Sequence, residues 1–253
     1  MELNERQQTL VERVRISGYL TVEALAQQFD VTTQTIRRDV AQLSEAGLVK
    51  RYHGGVAWVS SVENIAYAQR QVLNIDEKQR IARAVATQVP NGKSLLINIG
   101  TTTEEVARAL LGHQRLSVVT NNLNVASILS ANPDCEVIVA GGVVRHRDRG
   151  ITGEATIDFI RQFKVDIGII GVSAIELDGT LRDFDYREVR VAQTIMQQSR
   201  EVWLVADSSK IGRDALVRLG HLSGIHALFT DAPLPSELAT VVRETGTALH
   251  VGE

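Results

Sequence analysis

At 253 residues the chain exceeds the usual size of one small domain, and with 44% hydrophobic and 23% charged residues it has the balance of a folded, water-exposed protein. A net charge of −3 by itself selects neither a nucleic-acid binder nor a membrane-surface protein. One cysteine, Cys135, excludes an intrachain disulfide framework and a thiolate metal site, so its expected role is a buried small hydrophobe. The start, MELNERQQTLVERVRI, carries acidic residues where a signal peptide has an apolar stretch, and no run approaches a membrane span; the expected location is the cytoplasm.

The average charge hides a local pattern. Residues 1–58 hold seven basic and seven acidic side chains, but Gln34 to Trp58 holds Arg37, Arg38, Lys50 and Arg51 against only Asp39 and Glu45. Leu10, Val11 and Val14 share one helical face that closes at Ser17-Gly18, and Leu3 is placed on the same face. From Thr21, the residues Val22, Leu25, Ala26 and Phe29 form a second short helix that breaks at Asp30. Thr32 can cap a third, with Ile36, Val40 and Leu43 inward and Gln34, Arg37, Arg38 and Ala41 on the opposite face. After Gly47, Leu48 to Tyr52 reads as a strand, His53-Gly54-Gly55 as a turn and Val56 to Trp58 as the return strand.

A short helix, a turn and a capped helix with polar and basic residues at its exposed start is the arrangement that places side chains in a major groove. Gln34, Arg37 and Arg38 suit base edges, Thr32, Thr33 and Thr35 suit phosphates, and Lys50, Arg51 and His53 make a basic wing. A plain three-helix bundle with a solvated arginine pair is the alternative, and the hairpin favours the winged helix-turn-helix. The segment TTQTIRRDVAQLSEAGLVKRYHGGVA resembles the DNA-binding signature of DeoR-type bacterial repressors, which implies double-stranded operator DNA as partner.

The expected organisation is a winged head over 1–58, a linker over 59–75 and an α/β body over 76–253. Two helix-like stretches between Asn64 and Val89 break near Asn74. Beyond Pro90-Asn91-Gly92, short apolar runs alternate with amphipathic segments. The expected strands are Leu95–Ile99, Leu116–Thr120, Glu136–Ala140, Asp166–Gly171, Glu201–Ala206, Ala227–Thr230 and Thr247–Val251. Repeated βα units imply a mainly parallel, doubly wound sheet with helices on both faces, whose ligands bind beyond the carboxyl ends of the strands.

Those ends carry polar groups. Gly100-Thr101-Thr102-Thr103 opens a helix and offers amides and hydroxyls to an anion. Asn121 and Asn122 follow the second strand, Gly141 and Gly142 the third, and Asp207-Ser208-Ser209-Lys210 the fifth. Each has an ordinary explanation as a cap, a turn or a solvated lysine; four together point to a small phosphorylated ligand. No GxGxxG opens a βαβ unit and no GxxxxGK[ST] occurs, so no dinucleotide or other cofactor is expected. The six histidines lack metal-ligand spacing, and no metal is expected.

The body also resembles the ribose-5-phosphate isomerase-like sensor of DeoR-type repressors. That enzyme fold carries a pair of aspartates after a central strand; here Gly171-Val172-Ser173-Ala174-Ile175-Glu176 has no carboxylate before Glu176, and an isomerase is not expected. Asp185 and Glu188 are read as a capping-box-like helix start with a solvated charged face, and Arg145, Arg147 and Arg149 as decoration of an exposed loop. End to end, through EKQRIARAVATQVPNG, VTNNLNVASIL, GEATIDFIRQFKVD and FDYREVR, the resemblance implies a homotetrameric repressor of glycerol metabolism released by sn-glycerol 3-phosphate. Ala174, Glu176 and Arg182 depart from it, where Gly, Asp and an apolar residue are expected. Other readings weighed are a different phosphorylated sugar or polyol as effector, a phosphosugar isomerase, and an architectural DNA-binding protein.

Overall fold

The computed structural model describes residues 3–52, 54–58 and 67–252; His53 and the first part of the expected linker, residues 59–66, lie outside them. The chain divides into two compact units, Met1–Leu73 and Asn74–Glu253.

The head is built from α1 (Glu5–Ser17), β1 (Tyr19–Thr21), α2 (Val22–Phe29), α3 (Thr33–Glu45), β2 (Val49–Tyr52), β3 (Gly55–Trp58) and α4 (Tyr67–Val72). Each start signal acts locally: Asn4 and Gln7 form a capping box on α1, Thr21 caps α2 through the Ala24 amide, and Thr32 caps α3 through the Thr35 amide. Leu10, Val14, Leu25, Ile36, Val40, Leu43 and Val56 form one buried core. The hairpin is real but larger than expected, because β1 pairs with β3 and makes a three-stranded sheet in the order β1-β3-β2. Tyr19 lies so close over Gly55 that a Cβ there would collide with its ring. The seven residues before Asn74, expected in the linker, belong to the first unit: Gln69 donates to the carbonyls of Ser17 and Tyr19, and Leu73 is buried with Tyr19 and Tyr52.

The body begins with α5 (Ile75–Gln88). It continues through β4 (Ser94–Ile97), α6 (Thr101–Ala109), β5 (Leu116–Thr120), α7 (Leu123–Leu129), β6 (Cys135–Val139), β7 (Val143–Val144), β8 (Ile151–Thr152), α8 (Glu154–Ile160) and β9 (Val165–Gly171). Then come β10 (Ala174–Ile175), β11 (Thr180–Asp183), α9 (Tyr186–Gln197), β12 (Ser199–Val205), β13 (Val217–His221), β14 (Ala227–Thr230), α10 (Ser236–Thr245) and β15 (Ala248–Val251).

All seven expected strands enter one sheet in the order β15-β14-β12-β9-β4-β5-β6, and every pairing in it is parallel. Alternate residues of a strand face opposite ways, so Leu95 and Ile97 join the core under α5, α6 and α7, while Leu96 joins the core under α8, α9 and α10. That is the doubly wound architecture. Strand order runs outward from β4 to β6 on one side and from β9 to β15 on the other, so the direction of winding switches between β4 and β9. A small antiparallel sheet, β10-β11-β13, and the β7-β8 hairpin sit in the connections after the strands. Neither was read from sequence.

Candidate functional site

On the head, α3 presents Gln34, Arg37 and Arg38 as exposed side chains, with Thr33, Thr35 and Ala41 half-buried beside them. Opposite them Ile36, Val40 and Leu43 are wholly buried, so the core fixes which face of α3 points outward. Thr32 accepts from the Thr35 amide at 3.2 Å, and the two threonine hydroxyls lie 2.9 Å apart. This cap leaves the start of the helix ordered and its amides directed outward. Arg51 is exposed on β2 and lines a cleft with Ala41, Ser44 and Glu45, so wing and helix flank one surface. Gly54 has φ 78°, a conformation that suits glycine at the hairpin tip. Gln34 and Arg38 thus share a groove at the start of α3, and Arg51 of the wing lies beside the later turns of the same helix.

This surface also holds Arg6 and Asp39, for which no role in the site is expected from sequence. A groove of about 400 Å³ beside α3 is lined by Asn4, Arg6, Thr32, Gln34, Thr35, Arg38, Asp39 and Gln42. Asp39, buried on the inner face, accepts from Arg6 at 2.7 Å and from Gln7 at 3.2 Å, and this bond raises the Arg6 pKa still further. The clue was available: Asp39 is three positions from Ile36 and four from Leu43, hence on their face.

On the body, the groups beyond the strand ends cluster around the β4–β9 switch point. Gly100 caps α6 with φ 159°, and the first helical bond is Glu104 N–H to the Gly100 carbonyl. The amides of Thr101, Thr102 and Thr103 precede that bond and make none within the helix. The Thr103 hydroxyl donates to the carbonyls of Asn98 and Gly100, which uses it to shape the turn. One strand over, Asn121 is wholly buried; its amide donates to the Ile151 carbonyl while Oδ1 has no hydrogen-bond partner among the described residues. Asn122 caps α7 and donates to Glu104 at 3.2 Å, joining the second strand end to α6.

Asp207 and Lys210 stand two strands from β4, about 10 Å away in the sheet. Asp207 is buried and accepts from the Ser209 amide and hydroxyl and from Asn74, with Lys210 Nζ 3.8 Å from Oδ2. Burial pushes this carboxyl up, but Lys210, Ser209, Lys78 and Asn74 together hold it below the usual carboxylate range. Gly142, beyond β6, is farthest out. Its backbone, at φ 145°, lies against Thr156 and Ile151, where a Cβ would collide.

The charged clusters depart from expectation. Arg145 is largely buried, with its guanidinium on Asp148 at 2.6 Å, on Asp185 at 2.8 Å and on Glu188. Arg147 also reaches Asp185 at 2.8 Å and Glu188 at 3.1 Å. The loop is therefore tied to the start of α9 rather than decorating solvent. Asp185 does cap α9, through the Arg187 amide, but Glu188 turns to the arginines instead of closing a capping box. Burial would raise the Asp185 pKa, and the Arg187 amide with Arg145 and Arg147 brings it below normal. Two of the departures answer each other: Arg182 donates to Glu176 at 2.6 Å across β10 and β11. Beyond β9, Ser173 donates to buried Asp183 at 2.9 Å.

Among the described residues no group of three or more metal-ligating side chains occurs, and no helix is long and apolar enough to cross a membrane. Family models match both units: a DeoR-like helix-turn-helix domain over residues 6–62 and a DeoR C terminal sensor domain over residues 73–232. The chain is 49% identical to the glycerol-3-phosphate regulon repressor of Escherichia coli K12 over 244 residues, 96% of this chain and 97% of that one. The repressor of the same description from Haemophilus influenzae is 48% identical over 249 residues, 98% of this chain and 97% of that one. Among solved structures, ribose 5-phosphate isomerase A from Methanocaldococcus jannaschii aligns at a TM-score of 0.41 and 14% identity, over 55% of each chain.

Proposed function

Because the chain belongs to the DeoR family of DNA-binding transcriptional repressors, a family of regulators and not of enzymes, we propose that it represses genes of glycerol 3-phosphate use and leaves its operators when sn-glycerol 3-phosphate fills the body. The observation that carries this reading is 48–49% identity along nearly the whole chain to repressors described by that regulon. The head binds double-stranded operator DNA: α3 enters the major groove, Gln34, Arg37 and Arg38 meet base edges and phosphates, and Lys50, Arg51 and His53 carry the wing's charge.

In the body, the effector's phosphate lies at the start of α6, where the amides of Thr101 to Thr103 donate to it and the helix end favours its charge. Lys210 adds a positive charge from the far side, and a glycerol hydroxyl donates to Asn121 Oδ1, the buried acceptor otherwise left over. Gly100 and Asn122 shape this wall, Asp207 holds Lys210, and no further cofactor takes part. The working species is a cytoplasmic homotetramer that presents heads in pairs to half-sites about 34–36 Å, or a multiple, apart.

Calorimetric titration of the full chain tests the site. We expect binding of sn-glycerol 3-phosphate, none of unphosphorylated glycerol, and affinity lowered about tenfold or more in Lys210→Ala, the loss for one charge-assisted bond. Parent-like affinity in Lys210→Ala would remove Lys210 from the site, and heat from glycerol alone would remove the phosphate from recognition.

A further inference from the structure

Leu73 closes the head and Asn74 opens the body, and each is held by its own unit. Leu73 is buried with Tyr19 and Tyr52, and its amide donates to the Gln69 carbonyl. Asn74 stands at the N-cap of α5, where an asparagine ordinarily accepts from an amide of the first turn. Here it makes no such bond. Its backbone is left-handed, at φ 54° and ψ 41°, and Nδ2 donates instead to Asp207 Oδ1 at 3.1 Å, 133 positions along the chain. Asp207 is 1% exposed. Its second oxygen, Oδ2, makes no hydrogen bond among the described residues and faces Lys210 Nζ at 3.8 Å. One buried carboxylate thus grips the first residue after the head with one oxygen and the lysine of the strand-end cluster with the other.

We propose that Asn74 is a positioning residue for the effector response, tying what happens at Lys210, through Asp207, to the direction in which the chain leaves the body for the head. The inference rests on the phosphorylated-effector reading in that Lys210 is taken to meet the phosphate. A phosphate drawn to Lys210 competes with Asp207 for one ammonium group. A buried carboxylate that loses part of its countercharge must draw harder on its remaining partners, Ser209, Asn74 and the charge of Lys78, or shift. The next residue toward the N-terminus, Leu73, packs with Tyr19 and Tyr52, so a change at Asn74 is passed to the first unit's own packing.

The test uses the full chain and Asn74→Gly, which keeps the left-handed backbone accessible and removes only the amide. Without ligand, hydrogen exchange at residues 206–212 should quicken by about threefold or more in the variant; unchanged rates overturn the link whatever the effector is. With sn-glycerol 3-phosphate, calorimetric affinity should stay within about threefold of the parent, while the ratio of operator Kd with and without ligand falls about tenfold or more. A parent-like ratio overturns the proposal, and so does a parallel loss of ligand affinity, which would make Asn74 part of the binding site. A parent chain that holds its operator but ignores the ligand contradicts the effector reading alone, and the exchange result then decides the link.

Discussion

Arg38 and Asp39 are neighbours in the chain that differ in burial, and the difference assigns them different work. Arg38 is exposed beside Gln34 in the groove along α3, whereas Asp39 is 4% exposed and bound to Arg6 and Gln7. Arg38→Ala should therefore weaken operator binding roughly ten- to hundredfold with the thermal transition unchanged, as measured by fluorescence anisotropy beside calorimetric melting. A lower melting temperature would mean that Arg38 holds the head together. Asp207 makes a prediction in pH. Its folded pKa lies below the unfolded one, so the stability it contributes is complete above the unfolded value and is lost as pH falls through the folded value. Urea denaturation of Asp207→Asn should show a flatter fall in stability below about pH 4 than the parent. An identical acid limb would show that Asp207 has no lowered pKa. The exposure of Arg37 and Arg38 and the place of Thr101 to Thr103 at a helix start were legible because both follow from local spacing. The Arg145 and Arg147 bonds to Asp185 and Glu188 were not, because the partners lie 38 to 43 positions apart and only the β7-β8 connection brings them together.

Among the elements, long apolar runs read well and short ones did not. Each of the seven main strands was found within about two residues of its bounds, since the central parallel strands, buried on both faces, are nearly continuous apolar runs and the edge strands β6 and β15 keep mostly apolar residues. β1 escaped because three residues, Tyr19–Thr21, fill the whole space between the end of α1 and the cap of α2, and their partner is β3, far along the chain. β10 escaped because it is only two residues long, and β11 and β13 because TLRD and VRLGH mix charged with apolar residues and pair antiparallel across a long stretch of chain. Glycines likewise took their meaning from packing. Gly142, one of the strand-end residues, has Thr156 and Ile151 against its backbone. Gly142→Ala should destabilise the folded chain by about 2 kcal/mol in urea, through overpacking and an unfavourable φ. A stability change of less than about 0.5 kcal/mol would contradict that packing.

At the scale of the whole molecule, two units that fold around separate cores must act as one regulator. The head's core of Leu10, Ile36, Leu43 and Val56 shares no residue with the two cores that sandwich the body's sheet. The head's role was readable because a helix-turn-helix with a basic hairpin is a local pattern of a few dozen residues. The ligand site we propose on the body was only partly readable, because the groups we assign to it come from the ends of β4, β5 and β12, which sequence order does not place side by side. Its architecture concentrates them instead at the point where winding reverses, with the start of α6 on one side and β9 on the other. The most direct measurement is operator release: labelled DNA from upstream of a glycerol-use operon is bound by the full chain at one fixed salt concentration, because salt alone shifts such binding strongly. sn-Glycerol 3-phosphate and glycerol are then titrated in parallel. The account predicts that the phosphate ester frees the DNA and glycerol does not; DNA that stays bound at saturating sn-glycerol 3-phosphate would contradict it.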